Sequence, residues 1–283
     1  MDIKDLTSSE QPTWCPGCAN FGITLAIKNA IAELGIAPEN WVLVSGIGCG
    51  SKLPRYIKTY GVESLHGRIL PIATGLRLAN HKLKVIGVGG DGDGYGIGGN
   101  HFIHTMRRNF DITYIVQNNE VYGLTKGQYS PTSRKGLVTP SSPFGAVETP
   151  VNPLAIAITM GATYVARVYA NDIQKLKQIV KEAIEHRGFS FVDVLLGCGT
   201  FNKGNTPEWY KENVIYVEEQ GHNPSNKEAA MKLAMRTDKM AAGVLYKESK
   251  ETYEDSMGHL EDKPAARHDI ENVDITSLLE KFK

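Results

Sequence analysis

The sequence predicts an α/β protein, built on a doubly wound, mostly parallel sheet with helices on both faces and a helical extension at its C-terminal end. The main observation is that short apolar runs alternate with segments in which apolar residues recur at helical spacing. The runs are largely apolar throughout, as expected for parallel strands that are buried on both faces. In addition, 41% of the 283 residues are hydrophobic, which is enough for a sizeable core.

Ten elements carry this alternation between residues 19 and 197. Helices are predicted over 19–35, 72–81, 100–109, 153–161 and 171–187, and strands over 41–46, 83–90, 111–119, 163–169 and 189–197. Gly35 is expected to end the first helix, because glycine is the usual residue at a helix C-terminus. Asn171 or Asp172 is expected to cap the last of these helices, since either side chain can accept a hydrogen bond from the first turn.

Residues 200–283 differ from the preceding chain, because they contain no run that is typical of a strand and are rich in Lys and Glu. We therefore divide the chain into a domain over 1–204 and an extension over 205–283. Ala and Met residues at 226–246 favour one helix, which a charged tail follows from Lys247. We expect the extension to lie over the sheet as a lid or as an arm that binds a partner.

Charge and apolar patterning exclude several classes of protein. The 31 Lys and Arg residues balance 31 Asp and Glu residues, so the net charge does not favour a nucleic-acid partner. No apolar segment approaches the ~18 consecutive residues that a membrane helix needs. Residues 1–11 show neither the basic start nor the apolar run of a secretory signal. We therefore predict a cytoplasmic protein whose four cysteines are reduced thiols or metal ligands.

Polar residues follow two predicted strands at the points where those strands end. Asp91 and Asp93 lie among the glycines after the strand at 83–90, and Asn119 ends the strand at 111–119. Because the carboxyl ends of parallel strands meet at one edge of a sheet, these residues can lie together. A carboxylate, an amide oxygen and a nearby backbone carbonyl suit Mg²⁺. The free N–H groups of the helix that follows suit an anionic diphosphate.

Three other interpretations of this glycine turn are weaker. The glycines at 94–99 match a dinucleotide-binding fingerprint, but that site requires an acid at the end of the next strand, where residues 117–119 are Gln-Asn-Asn. A calcium loop that begins at Asp91 would need a bidentate glutamate at the position of Phe102. The third interpretation is a glycine turn that binds no ligand.

The cysteines leave several kinds of site open. Cys15 and Cys18 have the Cys-x2-Cys spacing that is common to iron–sulfur and zinc sites. Cys49 and Cys198 are isolated in the sequence, so spacing alone allows an iron–sulfur cluster, a zinc ion or free buried thiols. Both follow predicted strands, and we therefore expect them at the same sheet edge as Asp91, within a few strand spacings of roughly 4.8 Å each.

Several motifs together resemble one enzyme family. GDG at 90–92 is followed by NN at 118–119 one strand–helix–strand unit later, as in the thiamine diphosphate signature. Four motifs resemble the β subunit of the 2-oxoacid:ferredoxin oxidoreductases: TWCPGC at 13–18, IGCGSK at 47–52, NNEVYGLTKGQYSPTS at 118–133 and CGTFNKG at 198–204. The resemblance is weak beyond about residue 245. It implies that the sheet is of the thiamine diphosphate-binding type.

The resemblance implies three cofactors, which are thiamine diphosphate, Mg²⁺ and a [4Fe–4S] cluster. The implied Mg²⁺ ligands are Asp91, Asn119 and the carbonyl of Val121. The residues implied to line the diphosphate and the thiazolium ring are Gly92, Asp93, Gly123 and Leu124, together with the turn of Ile47, Gly48, Cys49 and Gly50. The implied cluster ligands are Cys15, Cys18, Cys49 and Cys198.

The resemblance also implies a reaction and partners. The reaction is the coenzyme A-dependent oxidative decarboxylation of a 2-oxoacid, such as pyruvate or 2-oxoglutarate, to acyl-CoA and CO₂. Electrons pass from thiamine diphosphate through the cluster to ferredoxin. In this family the glutamate that activates the aminopyrimidine comes from a larger α subunit. We therefore expect the chain to be inactive alone and to work as part of a heterodimer or a larger assembly.

Three side chains are candidates for contact with the substrates. Lys52 and Lys126 follow the two cofactor-lining turns, and a lysine suits a substrate carboxylate or a coenzyme A phosphate. Solvated surface lysines are the alternative for both. Leu124 is expected beside the thiazolium ring, where it could influence which 2-oxoacid side chain fits. His66 either reaches the diphosphate or is a core histidine.

Two other functions remain open from the sequence. One is a non-redox thiamine diphosphate decarboxylase or synthase subunit in which the cysteines hold a structural zinc ion. The other is a non-catalytic, Rossmann-like nucleotide-binding subunit. Iron analysis separates the first from the main interpretation, and Mg²⁺-dependent binding of thiamine diphosphate separates the second.

Overall fold

Eight strands form one sheet in the part of the chain that the structure describes. The computed structural model describes residues 1–258, 263–269, 271 and 273–282. The strands of the sheet are β1 (Trp41–Ser45), β2 (Tyr60–Glu63), β3 (Lys84–Gly90), β4 (Ile112–Asn118), β7 (Tyr164–Tyr169), β8 (Ser190–Leu195), β9 (Val214–Tyr216) and β10 (Met240–Lys247). Their order is β2-β1-β3-β4-β8-β7-β10-β9. A separate hairpin consists of β5 (Val121–Tyr122) and β6 (Gln128–Tyr129).

Most of the sheet is parallel. The strands β2, β1, β3, β4, β8 and β7 all run in the same direction. Strand β10 is antiparallel to β7, and β9 is parallel to β10. Strands β1, β4 and β8 are buried over their whole length, which explains why their sequences are largely apolar instead of alternating. The predicted doubly wound, mostly parallel α/β fold is confirmed.

Helices cover both faces of the sheet. On one face, α1 (Asn20–Leu34) and α6 (Ile173–Glu185) pack against each other and share a core with Leu43. The helices that share the opposite core with Val42 and Val44 are α3 (Ile69–Ala79), α4 (Gly99–Arg108), α5 (Pro153–Thr159) and α8 (Lys227–Ala234). Shorter described helices are α2 (Leu53–Tyr56), α7 (Pro207–Asn213) and α9 (Thr276–Glu280). No helix of the described ranges is both long and apolar enough to cross a membrane.

The ten elements predicted up to residue 197 are confirmed to within a few residues at each end. Gly35 ends α1 with a left-handed φ of 64°. Asp172, rather than Asn171, caps α6, because its side chain accepts a hydrogen bond from the backbone N–H of Lys175.

The prediction that residues 200–283 contain no strand is wrong, because β9 and β10 both lie in this stretch and extend the sheet beyond β7. The helix predicted over 226–246 ends at Ala234. The helix propensity of Ala and Met is outweighed by pairing with the open edge of β7. Gly243 has a φ of 104°, which also interrupts a helix.

The structure does not test the predicted C-terminal extension. The division at residue 204 and a role of residues 205–283 as a lid or partner-binding arm stay predictions. Part of that stretch, residues 259–262, 270, 272 and 283, lies outside the described residues. In the described part, α9 exposes about half of the surface of Leu278 and of Leu279.

The register of the parallel strands gathers their carboxyl ends at one edge of the sheet. This alignment is given by the pairs Ser45–Val88, Gly90–Gln117 and Asn118–Leu195. The predicted site residues then follow these ends, with Cys49 after β1, Asp91 after β3, Asn119 after β4 and Cys198 after β8. Sequence-distant groups are thereby brought to the same edge.

We expect the substitution Leu245→Ala to destabilise the protein by about 2–5 kcal/mol, because it truncates a buried leucine and leaves a cavity. Leu245 is fully buried in β10, in the core that includes α5 and α8. The measurement is urea-induced unfolding followed by circular dichroism.

The matched control is Met235→Ala, since Met235 is 58% exposed in the loop between α8 and β10. A surface change of this kind should shift stability by less than about 0.5 kcal/mol. Equal effects of the two substitutions would contradict the assignment of β10 to the core of the sheet.

Candidate cofactor site

A cavity of about 570 Å³ opens at the carboxyl edge of the sheet. Its walls come from the turns after β1, β3 and β4 and from the β5–β6 hairpin. The residues predicted for Mg²⁺ and for the diphosphate and thiazolium all line it, namely Ile47, Gly48, Cys49, Gly50, Asp91, Gly92, Asp93, Asn119, Val121, Gly123 and Leu124. The structure thus brings together the residues that the glycine turn and the motifs singled out.

Asp91 is buried in the wall of this cavity, with 1% of its surface exposed. Its Oδ2 atom accepts a hydrogen bond from the Ser130 hydroxyl at 2.5 Å and lies 2.7 Å from the Thr132 hydroxyl. Burial raises the pKa of Asp91 to about 6, although both hydroxyl groups oppose the shift. None of the main causes of the shift is a cationic side chain. Since no cationic side chain is among these causes, the carboxylate is suited to bind a cation that enters from the cavity.

A strained turn presents Asn119 and Val121 to the same cavity. Between them, Glu120 has a φ of 58°, which is uncommon for a residue other than glycine. The Oδ1 atom of Asn119 accepts a hydrogen bond from the N–H of Val121 at 3.0 Å. The Glu120 carboxylate pairs with Arg134 at 3.2 Å. Asn119 and Val121 consequently line the cavity beside Asp91.

Asp93 connects three segments of the cavity wall. Its Oδ1 atom lies 2.9 Å from the backbone nitrogen of Ile47, from the backbone nitrogen of Gly67 and from Nδ1 of His66. Its Oδ2 atom is buried and has no hydrogen-bond partner among the described residues. Asp93 therefore holds the turns after β1 and β2 in place. His66 is not a core histidine, since 36% of its side chain is exposed, and it lines the cavity; its contact with the diphosphate stays a prediction.

Close packing requires glycine at one position of the wall, Gly92, and at Gly46, which directly precedes the wall residue Ile47 in the turn after β1. A Cβ atom at Gly92 would lie 2.1 Å from the ring of Tyr122, and a Cβ atom at Gly46 would lie 2.3 Å from the carboxylate oxygens of Asp93. Any side chain at these positions would displace Tyr122 or Asp93 from the cavity wall.

The four thiols, those of Cys15, Cys18, Cys49 and Cys198, converge on a second cavity of about 480 Å³. All four cysteines are free. Burial raises the pKa of Cys18, and the nearby thiols of the other three cysteines raise it further, while the backbone N–H of Asn20 lowers it. A Cβ atom at Gly123 would lie 3.6 Å from the Sγ of Cys49 and 3.8 Å from the Sγ of Cys198, so these two sulfur atoms face the same point.

Two hydrogen bonds hold the cysteine segments against the sheet edge. The indole N–H of Trp14, next to Cys15, donates to the carbonyl of Cys49 at 2.7 Å. The Asn202 side chain, in the loop after Cys198, donates to the carbonyl of Asn119 at 3.1 Å. Segments that are far apart in sequence are therefore joined at the cavity.

The two cavities have a common wall. The residues that line both are Asn20, Cys49, Asn119, Gly123, Leu124 and Leu196. This wall follows from the parallel order of β1, β3, β4 and β8, whose following turns lie side by side. A group bound in one cavity would therefore be a direct neighbour of a group bound in the other.

The predicted substrate-contacting residues lie in different places. Leu124 is 46% exposed and belongs to both cavity walls. Lys52 lines the thiol cavity and donates a hydrogen bond to the Thr13 hydroxyl at 3.0 Å. Lys126 lies in the hairpin turn with a φ of 77° and is not among the residues that line either cavity. The structure therefore brings Lys52 and Leu124 together and leaves Lys126 at the periphery.

Sequence reasoning missed the polar groups that support the site. Ser130 and Thr132 lie within the motif at 118–133, but no charge or spacing rule marked them as partners of Asp91. Asn20 was placed in a helix, yet it is buried in the wall between the cavities and its Oδ1 atom has no partner among the described residues. The sequence carries no signal for these contacts, because they depend on how the hairpin and α1 meet the sheet.

Comparisons with known proteins match both halves of the site. Residues 46–194 match the family "Thiamine pyrophosphate enzyme, C-terminal TPP binding domain". Residues 198–262 match a second family, the C-terminal region of the "Pyruvate ferredoxin oxidoreductase beta subunit". The first match therefore contains the glycine turn, and the second begins at Cys198.

Relatives extend these matches over most of the chain. The "2-oxoacid:ferredoxin oxidoreductase subunit beta" of Saccharolobus solfataricus is 49% identical over 234 residues, which are 82% of this chain and 76% of that protein. The "2-oxoacid:ferredoxin oxidoreductase 2, subunit beta" of Aeropyrum pernix is 42% identical over 271 residues, which are 90% of this chain and 88% of that protein.

A solved structure is similar over the full length. It is titled "2-oxoglutarate:ferredoxin oxidoreductase from Magnetococcus marinus with 2-oxoglutarate, coenzyme A and succinyl-CoA bound". It matches with a TM-score of 0.93 and 40% identity, covering 100% of this chain and 96% of that chain. The thiamine diphosphate-binding type of sheet and the family resemblance predicted from the motifs are both confirmed, and the chain belongs to the β subunits of the 2-oxoacid:ferredoxin oxidoreductases, a family of thiamine pyrophosphate enzymes.

Proposed function

We propose that this chain binds thiamine diphosphate, Mg²⁺ and a [4Fe–4S] cluster and serves an enzyme that converts a 2-oxoacid and coenzyme A to acyl-CoA and CO₂ while reducing ferredoxin. The observation that carries the proposal is the common wall of the two cavities. It would make an organic and an inorganic redox centre direct neighbours. Electrons would then leave the organic centre without a hydride carrier.

The donors of the first cavity fit a magnesium diphosphate. Asp91 is a buried carboxylate with a raised pKa, so a bound cation would offset the free-energy cost of removing its charge from water. An amide oxygen from Asn119 and a backbone carbonyl from Val121 would add the hard oxygen ligands that Mg²⁺ prefers. Glycines in the turns after β1 and β3 leave backbone groups open to the cavity, which suits a diphosphate.

The second cavity fits a cluster better than a zinc ion. Its four free thiols surround a common space, and burial together with neighbouring thiols raises the pKa of Cys18 and of Cys49. In the described part of the chain, no group of three or more His, Cys, Asp or Glu side chains is arranged to hold a metal ion, as a structural zinc site would require. Thiolates that bind the separate iron atoms of a cluster need not gather around one ion.

The residues of the chain would bind and orient the reacting groups. When bound, thiamine diphosphate supplies a nucleophilic carbon and an electron sink, and the cluster accepts electrons one at a time. Asp93 keeps the two turns that face the diphosphate in a fixed geometry. Leu124, which lines both cavities, would contact the substrate side chain, and the Lys52 ammonium would offer a charge for a carboxylate. Contact of Lys126 with coenzyme A stays a proposal for the assembled enzyme.

The first cavity supports the need for a partner subunit. No glutamate of the described residues lines this cavity, although activation of the aminopyrimidine requires one. We propose that a larger α subunit supplies it, and that residues 205–283 contribute to the contact. A cytoplasmic location, where thiols stay reduced and ferredoxin is available, is part of the same proposal.

We expect the chain to reduce no electron acceptor when it is purified alone, because the activating glutamate is missing. The complex with its α subunit should reduce ferredoxin, or a viologen in its place, when a 2-oxoacid and coenzyme A are both present. The assay compares pyruvate with 2-oxoglutarate, and 2-oxoglutarate is tested first because the similar Magnetococcus marinus structure contains it.

Substantial turnover by the isolated chain would disprove the division of the active site between subunits. A complex that decarboxylates 2-oxoacids without reducing any acceptor, and that contains zinc in place of iron and sulfide, would instead support the non-redox alternative.

We expect Cys198→Ser to remove the visible absorbance of the cluster and to lower iron from about four atoms per chain. Binding of thiamine diphosphate should survive, because the Mg²⁺ ligands and the diphosphate turns are unchanged. The measurement is iron and acid-labile sulfide content of the anaerobically purified complex.

Lys203→Ala serves as the matched control, because Lys203 is an exposed residue of the same loop. It should keep the full iron content. Unchanged iron in Cys198→Ser would overturn the assignment of Cys198 as a ligand.

A further inference from the structure

A buried hydrogen-bond network reaches Asp91 from the middle of the sheet. We propose that Asp193 is a positioning residue for the Mg²⁺–diphosphate site and acts on Asp91 through Asn118 and Thr132. This inference rests on the proposed function, since it assigns a role toward the Mg²⁺ that Asp91 would hold.

Asp193 lies within β8 and has no exposed surface. Its Oδ2 atom accepts a hydrogen bond from Nε of Arg167 at 2.7 Å, and Arg167 is its register partner in β7. The guanidinium group of Arg167 supplies an opposite charge for this carboxylate inside the sheet. A buried ion pair of this kind contributes little net stability compared with apolar residues of the same size. Stability alone therefore does not explain why a carboxylate occupies this position.

The second oxygen of Asp193 is directed toward the cofactor site. Its Oδ1 atom accepts hydrogen bonds from the Tyr95 hydroxyl at 2.8 Å and from Nδ2 of Asn118 at 3.2 Å. Tyr95 belongs to the helical turn at Gly92–Ile97 that directly follows Asp91, and Asn118 directly precedes Asn119. Asp193 therefore holds both segments that carry the predicted Mg²⁺ ligands.

Asn118 connects Asp193 to Asp91 through the hydroxyl of Thr132. Because the Asp193 carboxylate only accepts hydrogen bonds, Asn118 must turn its amide nitrogen toward it and its Oδ1 atom toward Thr132. That Oδ1 atom lies 2.8 Å from the Thr132 hydroxyl, which in turn lies 2.7 Å from Oδ2 of Asp91. The hydroxyl has one proton and two acceptors, so the Asn118 amide and the Asp91 carboxylate are coupled through it.

The side chains of the network are buried. Asp193, Asn118, Thr132 and Asp91 are each no more than 6% exposed. In a buried network, each hydrogen bond strongly limits the orientation of the next side chain. The Oδ2 atom of Asp91 is therefore held on the protein side, where Thr132 and Ser130 lie, and the orientation of the carboxylate toward the cavity follows from the network.

We expect Asp193→Asn to weaken the affinity for Mg²⁺ about 10- to 100-fold, as removal of an outer-shell partner commonly does. Asparagine keeps the size of Asp193 but replaces one acceptor oxygen with a donor, so Arg167, Tyr95 and Asn118 compete for the remaining oxygen. The measurement is binding of thiamine diphosphate to the complete complex by titration calorimetry at a series of Mg²⁺ concentrations. Binding should recover at saturating Mg²⁺.

The matched control is Asp111→Asn. Asp111 is 12% exposed and pairs with Arg77 at 2.9 Å, but it precedes β4 at the opposite edge of the sheet. This variant should lose stability as Asp193→Asn does and keep the Mg²⁺ affinity of the unchanged protein. If Asp193→Asn fails to assemble, Asn118→Leu removes the amide that links Asp193 to Thr132 and should weaken Mg²⁺ affinity in the same direction.

Three results would overturn the inference. Unchanged Mg²⁺ affinity in whichever of these two variants assembles would remove Asp193 from the site. Equal weakening in Asp111→Asn would show a general effect of stability. A wild-type complex that binds no thiamine diphosphate in the presence of Mg²⁺ would overturn the proposed function as well, which distinguishes that failure from the first two.

Discussion

The burial of Asp91 is the constraint on which the rest of the site depends. A carboxylate that leaves water is costly unless donors or a cation replace its hydration. Ser130 and Thr132 of the hairpin segment supply donors on one side, and the cavity remains on the other. The glycine turn after β3 and the β5–β6 hairpin are both arranged around this one acid.

The parts of the structure that sequence could predict are those in which local pattern and final environment agree. Strands such as β1 are buried on both faces, so their apolar runs identify them directly. The register of parallel strands then brings Asp91 and Asn119 to one edge, as their positions at strand ends had indicated. The convergence of Cys15 with Cys198 was not predictable from spacing, and it entered through the resemblance of the motifs.

The remaining parts depend on contacts between distant segments. Residues 240–247 have a composition that favours a helix, and only the open edge of β7 makes them a strand. One partner of Asp91, Thr132, follows the hairpin and is 41 residues away in sequence. Asp193 lies in an apolar strand where nothing but its charge is unusual. Local patterns do not contain such pairings, because they arise when complete elements pack together.

The hairpin between β5 and β6 has a consequence for the maturation of the subunit. Its turn supplies Gly123 and Leu124 to both cavities, and Gly123 also faces two of the thiols. On the proposed function, assembly of an iron–sulfur cluster and uptake of the vitamin-derived coenzyme would therefore meet at the same short segment. Because the two cavities share this wall, a group loaded first into one of them would narrow the approach to the other, and the hairpin would then influence the order of insertion.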